Sequence, residues 1–150
     1  MSGEADALAV AEARRWLGTA YCHQGSVRGG GADCLGLLRG VWRALYGAEP
    51  APVPPYTPDW AEPGRDEVLM RAAARHLLAV PADVPDRPGM VLLFRMRRGG
   101  VAKHLGILSR VTRDGRWFIH AYSGHGVVES ALSAPWARRI AARYAFPPRD

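Results

Sequence analysis

Residues 18–47 read GTAYCHQGSVRGGGADCLGLLRGVWRALYG, and this stretch holds both cysteines of the chain. Glycine is concentrated in residues 25–31, which is typical of a turn-rich loop. Asp33 follows this loop, where a short carboxylate can accept hydrogen bonds from free backbone N–H groups at a helix start. Residues 34–46 then have the apolar spacing of an amphipathic helix, with one face formed by Leu37, Leu38, Val41, Trp42 and Leu45. The stretch therefore predicts a loop followed by a helix that begins at Cys34.

Two further helices are predicted, one on each side of this stretch. The first segment of the chain has helical spacing at Ala5, Leu8, Ala9, Ala13, Trp16 and Leu17. A helix over 65–80 is predicted to turn inward Val68, Leu69, Ala72, Leu77 and Leu78. Residues 50–63 carry six of the twelve prolines, which excludes a helix or a central strand. We expect a proline-rich surface loop over about residues 48–65, containing Tyr56 and Trp60, that shapes one side of a groove.

The second half of the chain changes to short apolar runs separated by glycine-containing turns. Five strands are predicted, over residues 90–94, 105–111, 117–122, 127–131 and 140–146. Asp114–Gly115 stands between two of these runs and is a hairpin signal. Helices followed by a meandering antiparallel sheet define an α+β fold of two packed layers. We interpret residues 1–150 as a single domain of this class.

Composition limits the kind of protein. Of the 150 residues, 48% are hydrophobic and 23% are charged, which is typical of one globular domain. Twenty basic and 14 acidic residues give a net charge of +6, but the basic residues are scattered, so no direct nucleic-acid binding is predicted. Two cysteines exclude a disulfide-rich scaffold. No apolar run approaches the roughly 18 residues of a membrane span, and the N-terminus has no signal-peptide pattern. We therefore expect a protein made in the cytoplasm, with no membrane span.

Cys34, His104 and His120 are the candidate catalytic residues. A free thiol with a pKa of about 8.5 is only about 3% ionised at neutral pH, and a helix N-terminus or a nearby imidazolium increases that fraction. We therefore expect Cys34 to be an activated thiolate that alkylates quickly near pH 6 and much faster than Cys22. The two histidines lie in neighbouring predicted strands, so one imidazole can act as base while the other orients it.

Other interpretations of these residues stay open. A cysteine is more often a small core residue than a nucleophile, and Cys22 is interpreted in that way. Zinc held by Cys34, His104 and His120 is conceivable, but the paired spacing of a structural zinc site is absent, so no metal is predicted. The glycine-rich loop lacks the ending of a phosphate-binding loop, and no cofactor is predicted.

Four segments of the chain resemble motifs of the NlpC-type cell-wall cysteine peptidases, in the order in which that family has them. Residues 18–47 resemble the motif in which a Gly-Thr-Pro-Tyr approach leads to Asp-Cys-Ser-Gly at a helix start. Residues 88–94, PGMVLLF, resemble its Pro-Gly-Asp-Leu-Val-Phe-Phe strand. Residues 103–108, KHLGIL, and 119–121, IHA, resemble its His-Val-Gly-Ile and His-Ala motifs.

The resemblance implies a papain-like α+β fold in which a helical N-terminal part packs on an antiparallel β-sheet. It implies Cys34 as nucleophile, His104 as general base and His120 as the residue that orients this base. The residues expected to position the substrate or the oxyanion are Tyr21, Gln24 and Asp33. The implied reaction is the cleavage of peptidoglycan stem peptides, between D-glutamate and a diamino acid, through a thioester intermediate.

The form of residues 23–43 is most similar to a branch of this family encoded among phage tail genes and in gene transfer agents. This likeness implies a component of a phage-like particle that opens the cell wall while DNA is delivered. Its expected partners are other tail or baseplate hub proteins, and its expected place of action is the periplasm or wall of the target cell. Two other functions stay open: a structural tail-tip or hub component with weak or no hydrolytic activity, and an acyltransferase or amidase of the same fold.

Overall fold

The computed structural model describes residues 2–58 and 66–149. Its helices are α1 (Ser2–Arg15), α2 (Cys34–Tyr46), α3 (Val68–His76) and α4 (Ala134–Ala137). Its strands are β1 (Ser26–Val27), β2 (Gly31–Ala32), β3 (Leu78–Ala79), β4 (Val91–Arg95), β5 (Ala102–Thr112), β6 (Gly115–Tyr122), β7 (Gly126–Ala131) and β8 (Ile140–Ala145). Three helices in the first half and a sheet mostly from the second half confirm the predicted α+β class.

Six of the strands form one antiparallel sheet in the order β3-β8-β4-β5-β6-β7. β4 to β7 follow one another as a meander, whereas β8 returns to pair with β4. β1 and β2 form a separate short hairpin in the glycine-rich loop, where Ser26 pairs with Ala32. Tyr21 makes an isolated bridge to the same Ala32. The loop is therefore tied together immediately before α2 begins.

The alternation of side chains along β4 divides the buried core into two clusters. Val91 and Leu93 pack in a cluster that contains the buried residues of α1, α2 and α3. Leu92 and Phe94 belong to the second cluster, against which Trp136 of α4 packs. The three longer helices therefore cover one face of the sheet, and α4 lies on the other.

The contact between α1 and α2 depends on a glycine. A Cβ atom at Gly40 would lie 2.0 Å from the ring of Trp16, which is 2% exposed. The absence of a side chain at Gly40 lets the indole lie against the helix backbone. This contact packs the middle of α2 against Trp16, the residue that follows α1.

The predicted helix over 65–80 is wrong at its C-terminal end, because α3 is shorter. Leu78 lies in the edge strand β3, where it pairs with Ala145, and it is 50% exposed instead of inward. Ala72 is also exposed, and Ala73 takes the buried position. An apolar run that continues past the end of a helix keeps its helical spacing in the sequence, so the change to an edge strand gave no signal.

The other predicted elements are present in the structure. The five predicted strands correspond to β4–β8, and the first predicted helix to α1, although Leu8 and Leu17 are exposed. Residues 48–58 contain neither helix nor strand, as predicted for the proline-rich loop. The rest of that loop, residues 59–65 with Trp60, lies outside the described residues.

Candidate active site

Cys34 is the first residue of α2, as the sequence predicts, and Asp33 is the N-cap of that helix. The Oδ1 atom of Asp33 accepts the backbone N–H of Gly36 at 2.7 Å, and Oδ2 accepts the backbone N–H of Gln24 at 2.7 Å. Asp33 is 3% exposed. Its carboxylate therefore joins the glycine-rich loop to the helix and fixes the backbone on both sides of Cys34.

The sulfur of Cys34 is buried among backbone N–H groups. Burial and, after it, the Asp33 carboxylate raise the pKa of the thiol to about 12. The N–H groups of Leu105, Leu35 and Cys34 itself lower this pKa, but they are the smaller causes. The free protein therefore holds a neutral thiol. The activated thiolate expected from the helix start is wrong for this state, because desolvation outweighs the favourable N–H groups.

Cys22 differs from Cys34 in its surroundings. Cys22, expected to be a small core residue, instead lies at the surface and is exposed. Cys34 is 8% exposed. Cys22 is therefore the more accessible of the two, whereas the sequence leads us to expect faster alkylation of Cys34.

His104 on β5 and His120 on β6 are joined by a hydrogen bond. The Nε2 atom of His104 lies 2.8 Å from the Nδ1 atom of His120, and the Nε2 atom of His120 lies 2.9 Å from the Oγ atom of Ser130. Burial, followed by the charge of His120, lowers the pKa of His104 to about 3. Burial, followed by the charge of His125, lowers the pKa of His120 to about 4. Both imidazoles are therefore neutral near pH 7.

The chain brings Cys34 close to β5 through Leu105, the residue after His104, because the Leu105 N–H acts on the sulfur. No hydrogen bond joins the Cys34 sulfur to the ring of His104 in the described residues. The His104 ring lies 5.8 Å from that of Phe94 and 5.7 Å from that of Trp136, between centroids. Since His120 occupies Nε2, Nδ1 is the atom of His104 that is left to receive a proton.

Tyr21 lies within electrostatic reach of Cys34, and Gln24 does not place its amide there. Burial raises the pKa of the Tyr21 phenol, and negative charge on Cys34 and Asp33 raises it further, so the hydroxyl stays a hydrogen-bond donor. The side chain of Gln24 instead donates from Nε2 to the backbone carbonyl of Tyr56 at 2.7 Å. Gln24 thus contributes its backbone to Asp33 and its side chain to the proline-rich segment.

Two residues of this region carry no role in the sequence analysis, Tyr56 and Ser130. The hydroxyl of Tyr56 donates to Oδ2 of Asp33 at 2.5 Å. Nothing in the aperiodic proline-rich stretch indicates this contact. For Ser130 the signal is the register between β6 and β7: His120 pairs with Val128, so Ser130, two residues further along β7, lies on the same face of the sheet.

A cavity of about 370 Å³ lies next to the site, between α2, α3 and residues 50–56. Leu35 and Leu105, which follow Cys34 and His104 in sequence, line part of its wall. Most of the other lining side chains are apolar, including several prolines of the segment. A cavity of this size is suited to a small ligand or to a peptide side chain.

The described residues contain no group of three or more histidine, cysteine and acidic side chains arranged to hold a metal ion. Over residues 2–58 and 66–149, no helix combines the length and apolar character that crossing a membrane requires.

The fold is that of the NlpC/p60 domains. The chain superposes on the NlpC/p60 domain of the peptidoglycan hydrolase SagA with a TM-score of 0.55 and 22% sequence identity, covering 95% of this chain and 98% of that domain. It matches a Staphylococcus aureus Mu50 protein, described as similar to lipoprotein and of the NLP/P60 family, with a TM-score of 0.63 and 18% identity. That match covers 97% of this chain and 42% of the S. aureus protein.

A third solved structure, that of Ly7917, matches with a TM-score of 0.59 and 14% identity over 95% of this chain and 62% of that protein. The chain therefore spans less than half of the S. aureus protein and less than two thirds of Ly7917. Its sequence matches no family model and no curated protein. The structural likeness confirms the predicted fold class.

Proposed function

We propose that the protein is a peptidoglycan-hydrolysing cysteine peptidase with Cys34 as its nucleophile. The observation that carries this proposal is the placement of Cys34 at the start of α2, with the N–H groups of Leu105, Leu35 and Cys34 acting on its sulfur. The hydrogen-bonded histidines lie on β5, whose Leu105 N–H acts on the sulfur, and on the neighbouring strand β6. The NlpC/p60 fold supports the substrate class, because SagA, which shares it, is named a peptidoglycan hydrolase.

In the proposed reaction, Sγ of Cys34 attacks the carbonyl carbon of an amide while Nδ1 of His104 takes the thiol proton. His104 gives this proton to the leaving amine as the C–N bond breaks, which leaves a thioester. Water then adds to the thioester carbon while His104 takes a proton from it. His104 returns this proton to Sγ as the C–S bond breaks, which releases the carboxylic acid and restores the thiol. The Cys34 N–H and the Tyr21 hydroxyl are the proposed donors to the oxyanion.

The proposed substrate is a peptidoglycan stem peptide, and the proposed scissile bond joins D-glutamate to a diamino acid. The likeness of residues 18–47, 103–108 and 119–121 to the peptidase motifs supports this choice. The neutral thiol and the neutral imidazole of the free protein fit a mechanism in which the proton passes to His104 as the sulfur attacks, and not before.

The proposed setting is the tail tip of a phage or gene transfer agent particle, where the enzyme opens the wall of the target cell. The likeness of residues 23–43 to the tail-encoded branch supports it. In this setting the protein is made in the cytoplasm, docks on other tail or baseplate hub proteins and acts at the periplasm or wall.

Digestion of defined muropeptides, followed by mass spectrometry, tests the activity and identifies the bond. The parent protein should release one fragment that ends in D-glutamate and one that begins with the diamino acid. Cys34→Ala should release neither while keeping the unfolding temperature of the parent, and Cys22→Ala should cut as the parent does. Equal cutting by Cys34→Ala would refute the cysteine mechanism, whereas cleavage elsewhere in the peptide would refute only the proposed bond.

Particles assembled with Cys34→Ala test the proposed setting. They should contain the protein at the normal level and deliver DNA poorly into cells with an intact wall. Undiminished delivery by these particles would contradict the enzymatic role and favour a structural one.

A further inference from the structure

Tyr56 connects the proline-rich segment to the loop that carries the nucleophile. Its hydroxyl donates to Oδ2 of Asp33 at 2.5 Å. Its backbone carbonyl lies 2.7 Å from Nε2 of Gln24 and 2.9 Å from Nε2 of His23. The His23 ring stands edge-on to the phenol, with the centroids 5.3 Å apart. Tyr56 is therefore held at its backbone and at its ring, and its hydroxyl points at the carboxylate next to Cys34.

The Asp33 carboxylate is the charge that acts on the Cys34 thiol. The titratable groups on which the charge of Cys34 acts are Tyr21 and Tyr56. His104 precedes Leu105, whose N–H acts on the sulfur, and is hydrogen-bonded to His120. Burial lowers the pKa values of the two histidines and raises those of the two phenols, so all four groups are neutral near pH 7. Near Asp33, His23 lies 3.8 Å from Oδ2, and Arg39 is paired with Glu49. Among the neighbouring charges, that of Asp33 therefore has the largest effect on the pKa of Cys34.

We propose that Tyr56 is a positioning residue for the reaction at Cys34: its hydroxyl disperses the negative charge of Asp33 and so sets how easily the thiol gives up its proton. A hydrogen bond donated to a carboxylate withdraws charge from it, so a thiolate beside that carboxylate is repelled less. A phenol suits this task because burial and the bond to Asp33 hold the pKa of Tyr56 far above its ordinary value. The hydroxyl thus remains a donor while Cys34 reacts.

The role in catalysis rests on the proposed function, but the ionisation of Cys34 can be measured without substrate. The experiment uses Cys22→Ser protein labelled with carbon-13 at the cysteine Cβ, whose chemical shift follows the thiolate fraction of Cys34. Tyr56→Phe should move the titration curve upward by roughly half a pH unit, or about threefold less thiolate at a given pH below the midpoint, because part of one nearby charge is restored.

Two further proteins sharpen this test. 3-Fluorotyrosine at position 56 is a more acidic donor of nearly the same size, and it should move the curve downward. Tyr46→Phe is the matched control. Tyr46 is the last residue of α2, the helix that begins at Cys34, and its hydroxyl donates to the Pro147 carbonyl at 2.5 Å. The variant loses a phenol hydrogen bond of the same length to a neutral carbonyl, and the Cys34 curve should stay in place.

An unchanged titration curve in Tyr56→Phe would overturn the proposal, even if activity falls, and so would an equal displacement in Tyr46→Phe. If Tyr56→Phe does not fold, the fluorotyrosine protein decides, because a curve that does not move downward overturns the proposal too. A parent protein that cuts no muropeptide refutes the proposed function and leaves the titration result standing. In an active parent, the pH profile of kcat/KM should move together with the titration curve.

Discussion

The Nε2 atom of His104 lies 2.8 Å from the Nδ1 atom of His120, so the two imidazoles share one hydrogen bond between neighbouring strands. Because both rings are neutral, one nitrogen of the pair donates and the other accepts, which couples their tautomers. For Nδ1 of His104 to accept the Cys34 proton, its Nε2 must carry hydrogen and donate to His120. His120 then carries its own hydrogen on Nε2 and donates it to Ser130.

Ser130→Ala tests this coupling of tautomers. Without the hydroxyl, the N–H of buried His120 has no acceptor, and the opposite tautomer, which places hydrogen on Nδ1 of His104, becomes competitive. We expect kcat on muropeptides to fall roughly tenfold, the equivalent of about 1.4 kcal/mol for one lost hydrogen bond. Ser133→Ala is the control, because Ser133 caps α4 without a side-chain hydrogen bond. An unchanged kcat in Ser130→Ala would show that Ser130 does not select the tautomer.

The buried histidines also predict how stability depends on pH. Burial lowers the pKa of His104 from 6.5 to about 3 and that of His120 to about 4, so the unfolded chain binds protons that the folded chain does not. Stability is therefore complete above about pH 6.5 and is lost as the pH falls toward 4. Between pH 7 and pH 5 the loss amounts to about 2 kcal/mol for each histidine that remains neutral in the fold.

Urea unfolding at pH 7, 6 and 5 measures this loss in a range where the carboxylates have scarcely begun to titrate. His104→Gln should be less stable at every pH, but its stability should fall only about half as steeply. A parent protein whose stability is constant from pH 7 to pH 5 would show that the histidines are not buried as neutral groups.

Labelling of the two cysteines shows whether Cys34 is the neutral thiol of the structure or the activated thiolate expected from the sequence. Because Cys22 is exposed and the pKa of Cys34 is raised to about 12, iodoacetamide at pH 7 should modify Cys22 first. Peptide mapping by mass spectrometry assigns the modified site. Cys34→Ala should leave the rate at Cys22 unchanged. Faster modification of Cys34 than of Cys22 near pH 6 would show that Cys34 is the activated thiolate expected at a helix start.

The sequence predicts the start of α2 because the information is local. Asp33, the glycines before it and the apolar spacing after it all act within one short stretch of chain. The sequence predicts the wrong direction for the pKa shift of Cys34, because this shift depends on how deeply the folded chain buries the sulfur. Local helix geometry favours the thiolate, but desolvation comes from residues distant in sequence.

Tyr56 and Ser130 show the same division between local and long-range information. The contact of Tyr56 with Asp33 joins residues 23 positions apart through a segment with no periodicity. The contact of His120 with Ser130 depends on the register between β6 and β7. A shift of that register by one residue would turn Ser130 to the other face of the sheet. The identity of both residues could be read from the sequence, but their position in the site could not.

Gly36→Ala tests how closely α2 and the glycine-rich loop must approach. A Cβ atom at Gly36 would lie 1.6 Å from the backbone oxygen of Gly25, so the loop or the helix has to move. We expect the free energy of unfolding to fall by roughly 1–3 kcal/mol and muropeptide cleavage to be lost, because the displaced segments hold Cys34. Gly3→Ala is the control, since the space around Gly3 in α1 is open and alanine favours a helix. Equal unfolding temperatures for Gly36→Ala and the parent would show that α2 can move away from the loop without cost, and that the loop does not fix the position of Cys34.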